Sequence, residues 1–534
     1  MNRASGPVVN LFTIIIGKSD KSIRFEQEPI CRTIFTMRRG KALSVVSSRY
    51  ISMSYIKFAA AVCVAAVIGC SNVNVPLNGP AVALEDRVGN QTRAALHAQI
   101  APLDARGGTV VRPRRWGQPL GASAEVSTSR PAVKEDPRHD GYFVGIAISG
   151  GGARSANFSA ACLFQLQRIG LMEHVDYLSS VSGGSLTAAC YCLWGDQWNL
   201  ANAQAKLSHS FATDTIVDFL MPWNMVALGI SDYDRSDLLA KSLRKTLFTQ
   251  DGHELTFGDL RNDRPHLLIN ATDLQSGRRF VFCNESFDEI NSDLAKYPMA
   301  YAVAASSAVP VVMHQVTLRD YSTIFKQYRH LVDGGVVDNL GVQTLAEVYE
   351  AHLRDAEDAG GPSPYPRGAV LIVIDAATNN DSQISSKSDT GILETLQAGA
   401  GVATRNLLNR SSTATLAEMI VKYSPDTVDA KTLRQQMWAL QRDGYVEMRD
   451  RDGRPVRIVH LSISRVAELS KLPFHGFGES LNNIQTYFNI DPTEAYYLYQ
   501  AADLLVEQKF KPVLDRIAED VRAASTQPAS EGQR

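Results

Sequence analysis

Residues Tyr177–Leu193 read YLSSVSGGSLTAACYCL, a short apolar strand that enters a turn of small residues and leaves it directly as a helix. Val175, Tyr177, Leu178 and Val181 mark the strand, and Leu186, Ala189, Cys190 and Leu193 recur at helical spacing, so the chain has to reverse between Val181 and Ser185. Only small residues turn that tightly. Gly183 and Gly184 let the new helix pack on the old strand with no Cβ between them. The turn lifts the Ser182 hydroxyl to the helix N-terminus, where bare N–H groups and the helix dipole favour developing negative charge. This is the geometry of a nucleophile elbow, although Ser180 stands where the G-x-S-x-G pattern has its first glycine. A Ser-Gly-Gly loop without chemistry has the same letters, so the rest of the chain must decide.

Upstream, the near-continuous apolar run Tyr142–Ile148 (YFVGIAI) predicts a strand buried on both faces of a parallel sheet. It ends in Ser149-Gly150-Gly151-Gly152-Ala153-Arg154-Ser155, after which Ala156, Ala160, Leu163 and Phe164 mark one face of a helix. A glycine-rich turn opening a helix is an anion cradle. A dinucleotide pyrophosphate is one occupant, but Ser155 replaces the third glycine of G-x-G-x-x-G and no acidic residue ends the next strand. The other is the oxyanion of acyl transfer, with the N–H groups of Gly151 and Gly152 donating and Arg154 adding positive charge.

Downstream, Phe211–Ile230 is apolar but interrupted by Pro222, and suits either core or a lipid-facing cap. His266–Thr272 and Arg278–Phe282 predict strands, with Arg278 and Arg279 as a solvated strand end. A small-residue stretch closes with Ala305-Ser306-Ser307-Ala308-Val309-Pro310. Tyr328–Val332 then leads into Asp333-Gly334-Gly335, a carboxylate at a strand end that is either a reacting group or an Asx-turn residue capping its own loop. Ala369–Ala376 (AVLIVIDA) is the most strand-like run in the chain. Strands alternating with helices predict an α/β sheet covered on both faces. Beyond it, helical patterns cover roughly 390–423 and 430–441, a strand runs Arg457–Ser464, and Asp491-Pro492-Thr493-Glu494 starts a helix.

The glycine run with Arg154, then Ser182-Gly183-Gly184, then the Ser306-Ser307 stretch up to Pro310, then Asp333-Gly334-Gly335, in this order over about residues 143–345, resembles the patatin-like phospholipases. The Arg154 and Ser-Gly-Gly forms are also similar to the cytosolic phospholipase A catalytic domains. The resemblance implies an α/β, patatin-like three-layer fold: a mainly parallel central sheet flanked by helices, plus a mostly helical C-terminal extension. It implies a Ser–Asp dyad with no histidine, Ser182 as nucleophile and Asp333 as base. Gly151 and Gly152 would donate to the oxyanion with Arg154 assisting, and Gly150, Gly183, Gly184, Gly334 and Gly335 would shape the turns. The substrates implied are acyl esters of phospholipids or lysophospholipids, with no metal and no cofactor. A conventional Ser-His-Asp hydrolase would instead draw on His352, His460 or His475, each more simply solvated or structural, while His330 could tune Asp333. A catalytically inactive, lipid-tethered binding or scaffold protein would keep the same fold.

With 534 residues and 45% hydrophobic content the chain can bury a large core, and a net charge of −2 with no basic block argues against a nucleic-acid partner. The seven cysteines lack zinc spacing, and Cys162 and Cys190 sit at apolar helix positions. Met53–Cys70 combines Lys57, an apolar run and Val67-Ile68-Gly69-Cys70, resembling a bacterial signal peptide with a lipobox. Cys70 would then carry lipid and anchor the protein to the membrane of the bacterial cell envelope, with translation starting at Met37 or Met53. The expected organisation is a presequence over 1–70, a proline-rich linker or arm over 71–140, the catalytic domain over 141–378, the extension over 379–523 and a polar tail over 524–534.

Overall fold

The computed structural model describes residues 11–16, 23–28, 76–81, 140–211, 214, 235–310, 313–323, 326–378, 415–424, 428–486 and 488–526. The signal-like segment with Cys70, most of the 71–140 arm, nearly all of the apolar Phe211–Ile230 stretch and the first part of the 390–423 helical pattern lie outside them. Residues 1–67 form a unit of their own, in which Leu11–Ile16 pairs antiparallel with Ile23–Glu28.

In the second unit nine strands make one sheet: β1 (Tyr142–Ile148), β2 (Tyr177–Val181), β3 (His266–Asp273), β4 (Arg278–Phe282), β5 (Val316–Asp320), β6 (Gln327–Asp333), β7 (Gly368–Asp375), β8 (Tyr445–Arg449) and β9 (Pro455–Ser462). Their order is β8-β9-β7-β1-β2-β3-β6-β5, with β4 also on β3. From β9 through β3 the pairing is parallel, and β4, β5, β6 and β8 add antiparallel contacts. Strands β1 and β7 are buried at every position, as their unbroken apolar runs require.

Side chains alternate across β1. Tyr142, Val144, Ile146 and Ile148 enter one core, with Leu163 of α1 (Gly152–Ile169), Leu186 of α2 (Gly183–Leu193) and Val303 of α3 (Met299–Ser306). Phe143 and Ala147 enter the other, with Leu345, Val348 and Tyr349 of α4 (Val342–Asp358). Helix–sheet–helix layering follows, as expected. Helix α2 is buried along its whole length, which accounts for its uniformly small and apolar sequence. The C-terminal region is helical where α5 (Pro492–Leu505) packs in the first core, its N-terminus closed by an Asp491–Glu494 capping box. It also contributes β8 and β9 to the sheet, and α6 (Lys511–Thr526) runs past Ala524, where the polar tail was expected to begin. Among the described residues no helix is long and apolar enough to cross a membrane.

The register of β3 places two strand ends together. Asn270 pairs with Val181 of β2 and Val281 of β4, while Ala271 pairs with Asp333 of β6 and Phe280 of β4. A strand has two edges and β4 takes one, so β2 and β6 share the other. They run toward each other along it and meet where Val181 and Asp333 stand opposite successive residues.

The other side of β6 carries β5, whose outer edge is covered by a piece of the N-terminal arm. The Asn78 amide satisfies both backbone groups of Arg319, donating to its carbonyl at 2.7 Å and accepting from its N–H at 2.8 Å, and also donates to Ser292 Oγ at 3.2 Å. One side chain thus does the work of a neighbouring strand at an otherwise open edge. Asn78→Ala removes these bonds from a buried position and should cost about 1–3 kcal/mol in urea unfolding. An unchanged midpoint would show that the arm leaves the edge in solution.

Candidate active site

Ser182 links β2 to α2 with φ 51° and ψ −126°. Among the described residues only Asp251 and Asn291 are other non-glycines with positive φ. Such a conformation costs about 1–3 kcal/mol and persists only where its surroundings over-determine it. Here they do. Ser182 N donates to Ser306 Oγ at 2.8 Å, and its carbonyl accepts from Ser185 N at 2.8 Å. A Cβ on Gly183 would lie 2.0 Å from the Gly152 carbonyl oxygen, and one on Gly184 would lie 2.5 Å from Ile148 Cγ2. Both glycines are therefore needed for close approach. The contact between Gly183 and Gly152 also sets the N-termini of α1 and α2 side by side at Ser182, with no acidic residue in the first turn of either. Two positive helix ends favour an anion at that point.

Asp333 ends β6 beside this turn. Its N–H donates to the Ala308 carbonyl at 2.9 Å, so the Ser306–Pro310 stretch holds the serine turn through Ser306 and the carboxylate through Ala308. The Asx-turn reading of Asp333 is met directly. One oxygen, Oδ1, caps its own loop by accepting from Gly335 N at 2.7 Å, and the Ser182 side chain is near enough to the carboxyl to help lower its pKa. Burial raises its pKa to about 6, against the lowering effects of the Gly335 hydrogen bond and the nearby Ser182 side chain. That makes it a base able to take a proton near neutrality. Gly334 passes over the Asn270 carbonyl, where a Cβ would be 2.4 Å away.

The glycine loop is tied to the sheet from both sides. Ser149 N donates to Ile374 O at 2.9 Å, Gly150 N to Asn339 O at 3.0 Å, and Ser149 Oγ accepts from Ala376 N at 2.9 Å. The N–H groups of Gly151 and Gly152 make no hydrogen bond among the described residues, as befits the first turn of α1. A Cβ on Gly150 would lie 3.3 Å from Ser182 Cβ, so the loop borders the serine. The two departures from the glycine patterns are accommodated. Ser155 braces the loop, its hydroxyl donating to Ser149 O at 2.6 Å, and Ser180 is fully buried in β2.

Arg154 is buried and held by Thr378 and by the C-terminal region, its Nη1 donating to Thr378 Oγ1 at 3.2 Å and to Ile484 O at 2.7 Å. Its charge helps to lower the pKa of Asp375, although burial opposes this and the hydrogen bond from His460 at 3.0 Å lowers it more. Among the described residues no histidine hydrogen-bonds to Ser182. His460 is held by Asp375 and His330 by Thr317. His352, read as solvated, instead bonds the Tyr177 hydroxyl at 2.8 Å, at the end of β2 remote from Ser182. Arg279 is a correction too: it is largely buried, donates to Thr344 Oγ1 at 2.9 Å and pairs with Glu347. Asn270 was missed as a site-shaping residue, and a lone amide inside the apolar run HLLINAT was the available signal; Ser306 lay in one of the four motifs but was given no role of its own. The four described cysteines are free and buried, and burial pushes the thiols of Cys192 and Cys283 up to about 12, which leaves them inert.

The Asp333 carboxyl is harder to ionise folded than unfolded, so its contribution to stability is fully present below its ordinary pKa of 3.8 and lost as pH rises through about 6. Asp333→Asn should therefore be more stable than wild type at pH 8, by about 3 kcal/mol, and equal to it below pH 4. Urea unfolding at the two pH values checks this, and equal stability at pH 8 would rule out a desolvated carboxylate.

Residues 146–346 match the model of the patatin-like phospholipase family. No curated protein matches the chain. Solved structures that this chain matches in part include human GIVD cytosolic phospholipase A2 in complex with methyl gamma-linolenyl fluorophosphonate and terbium chloride, at 14% identity and TM-score 0.40 over 72% of this chain and 60% of that one. VipD from Legionella pneumophila matches at 13% identity and TM-score 0.25 over 68% and 66%. Full-length ExoU from Pseudomonas aeruginosa, in complex with SpcU, matches at 16% and 0.21 over 56% and 58%. This chain thus spans about 60% of the length of the human structure. The order of the motifs and the match of the family model agree: residues 146–346 are a patatin-like phospholipase domain.

Proposed function

We propose that this chain is a serine esterase that hydrolyses acyl esters of phospholipids or lysophospholipids, with Ser182 as nucleophile and Asp333 as its base. The observation that carries the reading is the strained backbone of Ser182 facing a buried, hydrogen-bonded Asp333. In the first step Asp333 takes the Ser182 proton as Oγ attacks the ester carbonyl. The negative charge that develops on the carbonyl oxygen meets the N–H groups of Gly151 and Gly152 at the paired helix ends. Oxyanion donors of this kind are each worth about 3–4 kcal/mol. Collapse of the tetrahedral intermediate expels the alcohol, which Asp333 protonates, and leaves the acyl group on Ser182. Water, deprotonated by Asp333, then attacks the acyl group, and the Ser182 Oγ bond breaks as Asp333 returns the proton to it, which frees the fatty acid and restores the serine.

Arg154 acts in this scheme by its field, since its Nη1 is committed to Thr378 and Ile484. Lipidation of Cys70 would hold the enzyme against its substrate and raise the local lipid concentration, as tethering does.

A fluorophosphonate probe tests the chemistry directly, because it forms a phosphonyl ester with an activated serine. Peptide mass spectrometry should find the adduct on Ser182 in wild type, with none in Ser182→Ala and at least a hundredfold slower labelling in Asp333→Asn. Hydrolysis of a soluble acyl ester should fall on the acid side as Asp333 protonates near pH 6. A folded wild type that takes no label would overturn the esterase reading, and an adduct on another serine would overturn the choice of nucleophile.

A further inference from the structure

Asn270 sits fully buried in the middle of β3, at the point where β2 and β6 meet. An amide in that place has to satisfy two donors and an acceptor away from water, and each finds a partner. Nδ2 donates to Ser179 Oγ at 2.9 Å and to the Ser180 carbonyl at 2.9 Å, both on the strand that delivers Ser182. Oδ1 accepts from Thr344 Oγ1 at 2.6 Å, on the helix that follows the Asp333 loop. The backbone carbonyl of Asn270 accepts from Ser306 Oγ at 2.6 Å, and that same hydroxyl receives the Ser182 N–H.

The direction of every bond in this chain is fixed by chemistry. Arg279 can only donate, so Thr344 Oγ1 accepts from it and donates onward to Asn270. The Ser180 carbonyl can only accept, which assigns the Asn270 amide without ambiguity. Ser179, having accepted from Asn270, donates to the Gly341 carbonyl at 2.7 Å. A relay of fixed polarity thus runs from Arg279 on β4 through α4 to the strand that delivers the serine. Such a network is worth having only when complete, because each unpaired member in the interior is costly.

We propose that Asn270 is a positioning residue for the Ser182–Asp333 pair, holding the ends of β2 and β6 in the one arrangement that lets serine and carboxylate meet. The inference rests on the esterase reading above. Asn270 touches neither reacting group, so its side chain acts through Ser179, Ser180 and Thr344, while the bond from Ser306 goes to its backbone carbonyl and survives substitution. Loosening it lets the two strand ends drift along the edge of β3, and displacements of an ångström at reacting atoms lower rates by about a hundredfold. Substrate binding, which involves none of these bonds, is left alone.

The test uses Asn270→Leu, similar in shape and unable to hydrogen-bond, with Thr344→Val and Ser179→Ala each removing a single partner. In Asn270→Leu, kcat for a soluble acyl ester should fall about ten- to a hundredfold with KM within twofold, and fluorophosphonate labelling of Ser182 should slow by the same factor. The acid limb of the rate profile should also move to higher pH, because the nearness of the Ser182 side chain is one of the effects that lower the Asp333 pKa. The groups acting on that carboxylate are the Gly335 N–H and the Ser182 side chain, and the first is untouched by the substitution. Thr344→Val and Ser179→Ala should fall between wild type and Asn270→Leu, and they carry the test if the leucine variant does not fold. Wild-type kcat and an unmoved acid limb in variants that melt at lower temperature would assign Asn270 to stability alone and overturn the proposal. A wild type without label would overturn the esterase reading and this inference with it, so the two failures are told apart by the wild-type control.

Discussion

Strands β2 and β6 approach each other head-on along one edge of β3, and almost everything else at the site follows from that meeting. Two strands running in opposite directions on the same edge bring two C-terminal ends together. One end turns into a helix through Ser182, the other into a loop through Asp333. Neither residue is near the other in sequence, and neither strand alone would set their separation. Residues Asn270 and Ala271 of β3 do, by pairing with Val181 and Asp333 in succession.

That arrangement is maintained against local preferences. Ser182 holds a left-handed backbone, Asp333 keeps a carboxyl where burial disfavours its charge, and Asn270 buries an amide in an apolar strand. Each is unfavourable in isolation, by amounts of roughly 1–3 kcal/mol. Surrounding order offsets them: α2 is buried end to end, β1 and β7 are buried at every position, and the glycine contacts at 183 and 184 leave the turn no second conformation. A native fold concentrates its departures from local preference where chemistry needs them.

The parts legible in the sequence are those governed by nearest neighbours. Apolar runs such as YFVGIAI and AVLIVIDA announced buried strands, and the small residues at 182–184 announced a tight turn, because sterics and burial act along a few consecutive residues. Asp491-Pro492-Thr493-Glu494 gave away its helix for the same reason. Strands β5 and β8 escaped notice, since VTLRD and YVEMR are short, charged and partnered on one edge. Arg279 and His352 were misjudged because side-chain partners 65 and 175 residues away decide their burial, and no local pattern carries that information. Ser306 and Asn270 belong to the same class. The positions of Ser182 and the glycine loop could be read, but the bonds that hold them could not.

The surroundings of Asp333 bear on why a carboxylate rather than an imidazole stands opposite the serine. A histidine base needs a second group on its far nitrogen to fix the tautomer, and hence another buried polar partner. A carboxylate has two equivalent oxygens. Asp333 commits Oδ1 to the Gly335 N–H, which closes the loop, and in the proposed mechanism the carboxylate still takes the proton of the serine. The remaining difficulty is basicity, for an exposed aspartate is too weak. Burial supplies part of the remedy by raising the pKa to about 6, and the two helix N-termini supply another by favouring the anion that forms once the proton has moved. The proposed mechanism therefore depends on this setting: taken out of the protein, the same serine and aspartate would be an ordinary hydroxyl beside an ordinary acid.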